Sequence, residues 1–286
     1  MSEKVIVAVD NRGISESVLA WLTERERSSL GLEIEVVTVA ELGWVPPGTA
    51  EVDYRDAYEQ ALWQSERSIS AALSDVGVSR TMTWGAPAEQ LIAASARADL
   101  MVLGSDRPRA IAGIMTGTVS LRVAAHSDCP TVVVPADWGA ATHRQLVIVG
   151  AALEPSDDVV FAFAASEAER SGGELRIIHA LPFPHAFLAA EMIPTVTEDA
   201  LRAIDGRALR LRVEELRTRY PELTISIRTP KERPAVALVD YGKDAALIVI
   251  GTHGRSFIGN LVLGSVCHNL LLNAPCPVAV VSNGKV

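Results

Sequence analysis

Gly251-Thr-His-Gly254-Arg-Ser-Phe-Ile-Gly-Asn-Leu-Val-Leu-Gly264-Ser265 stands directly after the apolar run Leu247-Ile-Val-Ile250. Glycines that follow a parallel strand let backbone amides approach an anion closely, and the helix after them adds unpaired N–H groups and a favourable dipole. The expected chemistry is a phosphate cradle built from Gly251, Gly254 and Gly264, with Ser265 supplying a hydroxyl and His253 inside the loop. Any strand-to-helix turn favours glycine, so one Gly-x-x-Gly carries little weight. The second pair, Gly264-Ser265, which follows nine residues after Gly254, argues for an anion.

Other chemistries lack their residues. No Gly-x-Gly-x-x-Gly follows the first strand and no Gly-x-x-x-x-Gly-Lys occurs, which excludes the usual dinucleotide and Walker loops. Ser171-Gly172-Gly173 resembles the start of a pyrophosphatase loop but precedes the second strand of its unit, and is expected to end a helix. His179, His253 and His268 fall in different elements without a paired carboxylate or nucleophile, so no catalytic constellation and no metal site is expected. The chain is not expected to be an enzyme.

The elements that must position the loop come from an internal repeat. Asp99-Leu-Met-Val-Leu-Gly104 matches Ala246-Leu-Ile-Val-Ile-Gly251, Met115-Thr-Gly117-Thr118 matches Val262-Leu-Gly264-Ser265, and Cys129-Pro-Thr-Val-Val-Val134 matches Cys276-Pro-Val-Ala-Val-Val281, all at an offset of 147. Val5-Ile-Val-Ala-Val9 matches Leu146-Val-Ile-Val-Gly150 at an offset of 141, which implies a six-residue insertion in the second half. The segment around Phe183 to Thr197, with Pro182, Pro184 and Pro194 at hand, is the expected place. Strands are expected near 4–9, 34–39, 79–84, 100–104 and 131–134, and near 145–150, 174–179, 223–228, 246–250 and 278–281. Their continuous Val, Ile and Leu runs are those of strands covered by helices on both faces. Helical spacing runs from Ser15 to Thr23, with Ser15 as N-cap, and from Ala86 to Arg97. The fold class is α/β: two tandem, doubly wound, parallel five-stranded sheets of Rossmann-like type, related by a pseudo-twofold axis. The domains are expected at 1–136 and 143–286, joined by a short linker.

Composition agrees with that class. The 286 residues are 49% hydrophobic and 21% charged, enough for two ordinary cores. A net charge of -9 argues against general affinity for a nucleic-acid backbone. The basic stretch Arg202 to Arg219 carries Leu209, Val213 and Leu216 at helical spacing, and is expected to be an amphipathic surface helix. Cys129, Cys267 and Cys276 are an odd count without metal-ligand spacing, which suggests a reducing compartment. The start of the chain has no secretion-signal pattern and no apolar run is long enough to span a bilayer, so a cytoplasmic location is expected.

Glycine, two residues, glycine, nine residues, glycine, then serine or threonine resembles the ATP-binding pattern of universal stress proteins, here in the second half. The Cys-Pro-hydrophobic closing strands and the Asp after the first strand extend the resemblance over both halves. It implies that Asp10 faces adenine and ribose, and that backbone groups at Val39 and Ala180 hold the base. It places phosphate against Gly104, Gly117 and Thr118 in the first half and against Gly251, Gly254, Gly264 and Ser265 in the second. The two halves depart from the pattern on opposite sides of the site. In the first, the second glycine is Arg107, followed by Pro108; Arg107 either contacts phosphate or is a solvated loop residue. In the second, the Asp position is Ala151, and Gly85-Ala86-Pro87 becomes Glu232-Arg233-Pro234; Glu232 either substitutes for the lost carboxylate or repels phosphate.

The resemblance further implies an adenine nucleotide ligand, ATP with or without Mg²⁺, a regulatory stress-response role, and domains paired through Thr131 to Val134 and Val278 to Val281. A homodimer of whole chains is a further expectation. Two readings compete: a nucleotide-independent interaction module with eroded sites, and a slow ATP hydrolase.

Overall fold

A computed structural model describes residues 2–27, 31–41, 51–105, 118–139, 145–153, 157–180, 198–252 and 263–282. The first half runs β1 (Glu3–Val9), α1 (Glu16–Arg27), β2 (Leu32–Ala40), α2 (Glu51–Ala72), β3 (Gly77–Trp84), α3 (Pro87–Ser95), β4 (Leu100–Gly104), α4 (Thr118–His126) and β5 (Thr131–Val134). The second repeats it as β6 (Leu146–Gly150), α5 (Asp157–Arg170), β7 (Glu174–Ile178), α6 (Glu198–Arg219), β8 (Thr224–Arg228), α7 (Pro234–Gly242), β9 (Leu247–Gly251), α8 (Ser265–Asn273) and β10 (Val278–Val281). Every expected strand is found, with β2 and β3 each starting two residues earlier than the apolar runs suggest.

The expected pair of five-stranded sheets is one continuous ten-stranded sheet, in the order β3-β2-β1-β4-β5-β10-β9-β6-β7-β8. Each half is parallel throughout, and the seam between them is antiparallel, pairing Val278 with Val133, Ala279 with Val132 and Val280 with Thr131. The last strands therefore make the contact that the sequence reading assigned to them. Strand order reverses between β1 and β4, and again between β6 and β9, which opens a crevice at the carboxyl ends of each pair.

Local signals explain the element ends. Ser15 caps α1, its hydroxyl accepting from the Val18 N–H at 3.3 Å. Helix α5 ends as expected at Gly172, whose φ of 64° places it in the left-handed region. There Gly173 N–H donates to the Ala168 carbonyl and Gly172 N–H to the Glu169 carbonyl, a Schellman motif. Helix α6 buries Leu209, Val213 and Leu216, while Arg212 pairs with Asp158 and Arg217 with Glu214, so the basic stretch is the amphipathic helix expected. α2 and α6 start 147 residues apart while Val9 and Gly150 end their strands 141 apart, so the six extra residues fall between β6 and α6; the proline-rich segment expected to hold them lies outside the described residues. Among the described residues no helix is long and apolar enough to cross a membrane.

One core cluster covers a whole face of the sheet and crosses the seam, taking in Val18, Leu22 and Ile69 from the first half and Phe161, Ala165 and Leu209 from the second. The opposite face divides between α3 and α4 in one half and α7 and α8 in the other. At the seam a buried ion network joins α1 to α5. The Arg25 guanidinium donates to both Glu167 oxygens, at 2.9 and 3.1 Å, and to both Glu3 oxygens, at 3.0 and 2.5 Å, and Arg170 donates to Glu167 at 2.5 Å. Arg25 also stands 5.3 Å from the centre of the Trp21 ring. Burial alone would raise the Glu167 carboxyl, but Arg25 and Arg170 outweigh it and hold that group below the usual carboxylate range.

Removing one partner leaves the others charged and buried, so Glu167→Ala is expected to cost about 3 to 5 kcal/mol in urea unfolding. Because the folded carboxyl is depressed, its contribution is complete above the unfolded value of about 4.3 and is lost as pH falls through the lower folded value. Acid titration of stability should therefore flatten in that window in Glu167→Gln.

Candidate functional site

The crevice of the first half is a cavity of about 520 Å³, to which β1, α1, β2, α2, α3 and β4 contribute. Asp10 follows the last residue of β1, where the chain turns sharply: its carbonyl accepts from Gly13 N–H at 3.1 Å. Gly13 has a φ of 82°, and a Cβ there would lie 3.0 Å from the Ser65 hydroxyl and 3.2 Å from the Ala61 carbonyl, so both backbone and space require glycine. The Asp10 carboxylate faces the cavity and accepts from the Arg12 backbone N–H at 2.8 Å and from the Arg12 guanidinium at 2.8 and 2.5 Å.

Val39 lines the floor near the end of β2, with Val37, Leu91 and Leu103 beside it. The Thr38 hydroxyl donates to the Val9 carbonyl at 2.9 Å, which ties the ends of β1 and β2 together beneath this floor. Gly104 closes the other wall at the end of β4, and the Ser120 hydroxyl reaches its carbonyl at 3.5 Å from the first turn of α4. Thr118 begins α4; Arg107 and Gly117 lie outside the described residues. The structure thus brings Asp10, Val39 and Gly104 into one cavity, as the sequence reading grouped them.

Several lining residues were missed, among them Arg12, Ser105, Ser120 and Tyr58. Tyr58 reaches the cavity from α2, and its hydroxyl meets that of Tyr54 at 3.1 Å, with the rings edge to face at 5.0 Å between centres. Burial, the Tyr54 hydroxyl and the nearby Asp10 charge all push the Tyr58 phenol up, so it remains a donor at neutral pH. The only sequence signal is a Tyr-x-x-x-Tyr spacing on one helix face, which reads equally well as packing.

In the second half Gly251, Gly264 and Ser265 come together. Gly264 N–H donates to the Thr252 carbonyl at 3.1 Å, which docks the start of α8 against the end of β9, and the Gly264 carbonyl accepts from His268 N–H at 2.9 Å. His253 and Gly254 lie outside the described residues. Ala180 lies two residues beyond the end of β7 and packs against an apolar cluster. At the position of the missing aspartate the loop after β6 is held from elsewhere. The buried Asp157 carboxylate, on the first turn of α5, accepts from Ala152 and Leu153 N–H at 3.0 and 2.6 Å, and Leu153 takes a φ of 62°. His179, buried, places Nδ1 2.9 Å from the Ala151 carbonyl, a structural contact at the position that Thr38 holds in the first half. Glu232 is exposed before α7. No cluster of metal-ligating side chains forms among the described residues. Cys129, Cys267 and Cys276 are buried free thiols, and burial pushes Cys129 and Cys267 up, away from the reactive thiolate form.

The first cavity offers an apolar slot for a flat ring, an acceptor and a phenol for hydroxyl groups, and an end directed at a helix N-terminus suited to an anion. In the second half the position of Asp10 is taken by Ala151. Asp157→Ala would remove a charged acceptor shared by two backbone N–H groups, and the expected loss is about 1.5 to 3 kcal/mol in thermal or urea unfolding. Gly13→Ala should cost about 1 to 3 kcal/mol by the same measurement, through strain at positive φ and the contact with Ser65.

Comparison with known proteins agrees with this geometry. The model of the universal stress protein family matches twice, over residues 1–135 and 143–282. A universal stress protein of Mycobacterium tuberculosis is 27% identical, covering 96% of this chain and 96% of its own. One of Mycolicibacterium smegmatis is 27% identical, covering 97% and 96%. Among solved structures, a universal stress protein of Archaeoglobus fulgidus superposes with a TM-score of 0.76 at 22% identity, covering 99% of this chain and 100% of its own.

Proposed function

This chain belongs to the universal stress protein family, and we propose that it binds ATP in the first-half cavity and serves as a nucleotide-dependent regulator of a stress response in the cytoplasm. The observation that carries this reading is the convergence of Asp10, Val39 and Gly104 on one cavity at the point where strand order reverses. Its volume of about 520 Å³ falls in the range of small-molecule sites, roughly 300 to 1,000 Å³. Adenine fits the apolar floor, the Asp10 carboxylate takes sugar hydroxyls, and phosphates extend toward the N-terminus of α4.

What the cavity groups do supports regulation rather than turnover. Asp10 is committed to its own turn and to Arg12, which suits it to accept hydrogen bonds rather than to abstract a proton from water. The chain would then act through the surface that it presents when loaded or empty.

The second half supports a different role. With Ala151 in the aspartate position it lacks one charged hydrogen bond, about 1.5 to 3 kcal/mol, or roughly ten- to hundredfold in affinity. Asp157 and His179 close its loop with protein groups, which favours a scaffold role for that half.

Nucleotide released on denaturing freshly purified protein, identified by chromatography, tests the proposal. About one ATP per chain is expected, retained in Gly264→Arg and lost in Asp10→Ala, with millimolar ATP raising the melting temperature of the wild type. No bound nucleotide and no rise in melting temperature would leave the nucleotide-independent interaction module instead.

A further inference from the structure

We propose that Tyr58, its hydroxyl oriented by Tyr54, joins Asp10 in reading the sugar hydroxyls of the nucleotide, so that the first-half cavity selects ribonucleotides over deoxyribonucleotides. This inference rests on the reading of that cavity as a nucleotide site.

Tyr58 and Asp10 enter the cavity from different elements, α2 and the turn after β1, and both line it. The carboxylate only accepts hydrogen bonds, whereas a phenol both donates and accepts. Lining one cavity from two elements, they suit a sugar with two hydroxyl groups, one donating to the carboxylate and the other exchanging with the phenol. Tyr54 is buried, and its hydroxyl stands 3.1 Å from that of Tyr58 with the rings at 60°, which fixes the Tyr58 oxygen toward one side of the cavity. Ring packing alone would be met by phenylalanine; the two hydroxyl groups do something that packing does not require.

The duplicated fold supplies an internal comparison. Helices α2 and α6 are each 22 residues long and correspond at an offset of 147, so Tyr54 and Tyr58 correspond to Leu201 and Asp205. The half that has Ala151 in place of the aspartate has neither tyrosine. Groups on two separate elements change together between the halves, as groups that serve one ligand should. Tyr58 is thus a ligand-contacting residue and Tyr54 a positioning residue.

Calorimetric titration of the whole chain with ATP, 2′-deoxy-ATP and 3′-deoxy-ATP tests this. The wild type is expected to bind ATP more tightly than either deoxy analogue, by about tenfold for the one that lacks the hydroxyl facing the phenol. Tyr58→Phe should lose about five- to tenfold in ATP affinity while binding that analogue unchanged, so that its ratio falls to about one. Tyr54→Phe should lower the ratio partway, a change that simple loss of stability does not produce because both ligands would suffer alike. If Tyr58→Phe does not fold, the ratio in Tyr54→Phe decides. A wild type that binds ATP without discriminating, or variants that keep the full ratio, would overturn the role of the tyrosines and leave the nucleotide site standing. A wild type that binds none of the three would remove the nucleotide reading itself.

Discussion

The antiparallel pairing of β5 with β10 is the contact on which the rest of the molecule depends. Each half, taken alone, would end in an unpaired strand edge, a row of open backbone donors and acceptors. Joining Thr131–Val134 to Val278–Val281 closes both edges at once and leaves all eight residues buried. The seam makes one core face continuous across the halves and sets α1 beside α5. Only in that arrangement do Arg25 and Glu167 meet out of water, with the partly exposed Glu3 and Arg170 beside them, so that each buried charge is tolerable because its partners are present. The two crevices then stand two strands away from the seam on either side, between β1 and β4 and between β6 and β9.

Duplication within one chain lets the two crevices diverge while the scaffold stays shared. Both must still satisfy the backbone N–H groups of the turn after their first strand. In the first half Asp10 does this from within the turn, its carboxylate reaching the Arg12 N–H while still facing the cavity. In the second half Asp157 reaches back from the start of α5 to the Ala152 and Leu153 N–H groups, and His179 contacts the Ala151 carbonyl. A loop held this way no longer depends on a carboxylate in the turn, which is the physical reason that Ala151 is tolerated. The start of α8 stays docked against the end of β9, through Gly264 and Thr252.

Much of this was legible along the chain. Repeats in register over long stretches allow one topology twice, and continuous apolar runs such as Leu100-Met-Val-Leu103 specify strands buried on both faces. The family resemblance grouped Asp10, Val39 and Gly104, and strand ends in a parallel sheet converge on the same edge. Tyr58, Asp157 and Arg25 could not be assigned, each for its own reason. A tyrosine pair on an amphipathic helix looks like packing, an aspartate at a helix start looks like a partner of the helix dipole, and an arginine in a last turn looks solvated.

The sequence by itself determined the repeat and the order of strands and helices, and its resemblance to the family pointed to the strands that meet at the seam and to the positions where each half departs from the pattern. The repeat and the order follow from hydrophobic period, glycine placement and register, all local along the chain. Only the tertiary structure decided that two sheets become one, that α2 brings Tyr58 into the cavity that Asp10 lines, and that Arg25 and Glu167, 142 residues apart, form a buried ion pair. A side chain's partners depend on which elements pack against its own, and that is set by burial across the whole sheet rather than by its neighbours in sequence.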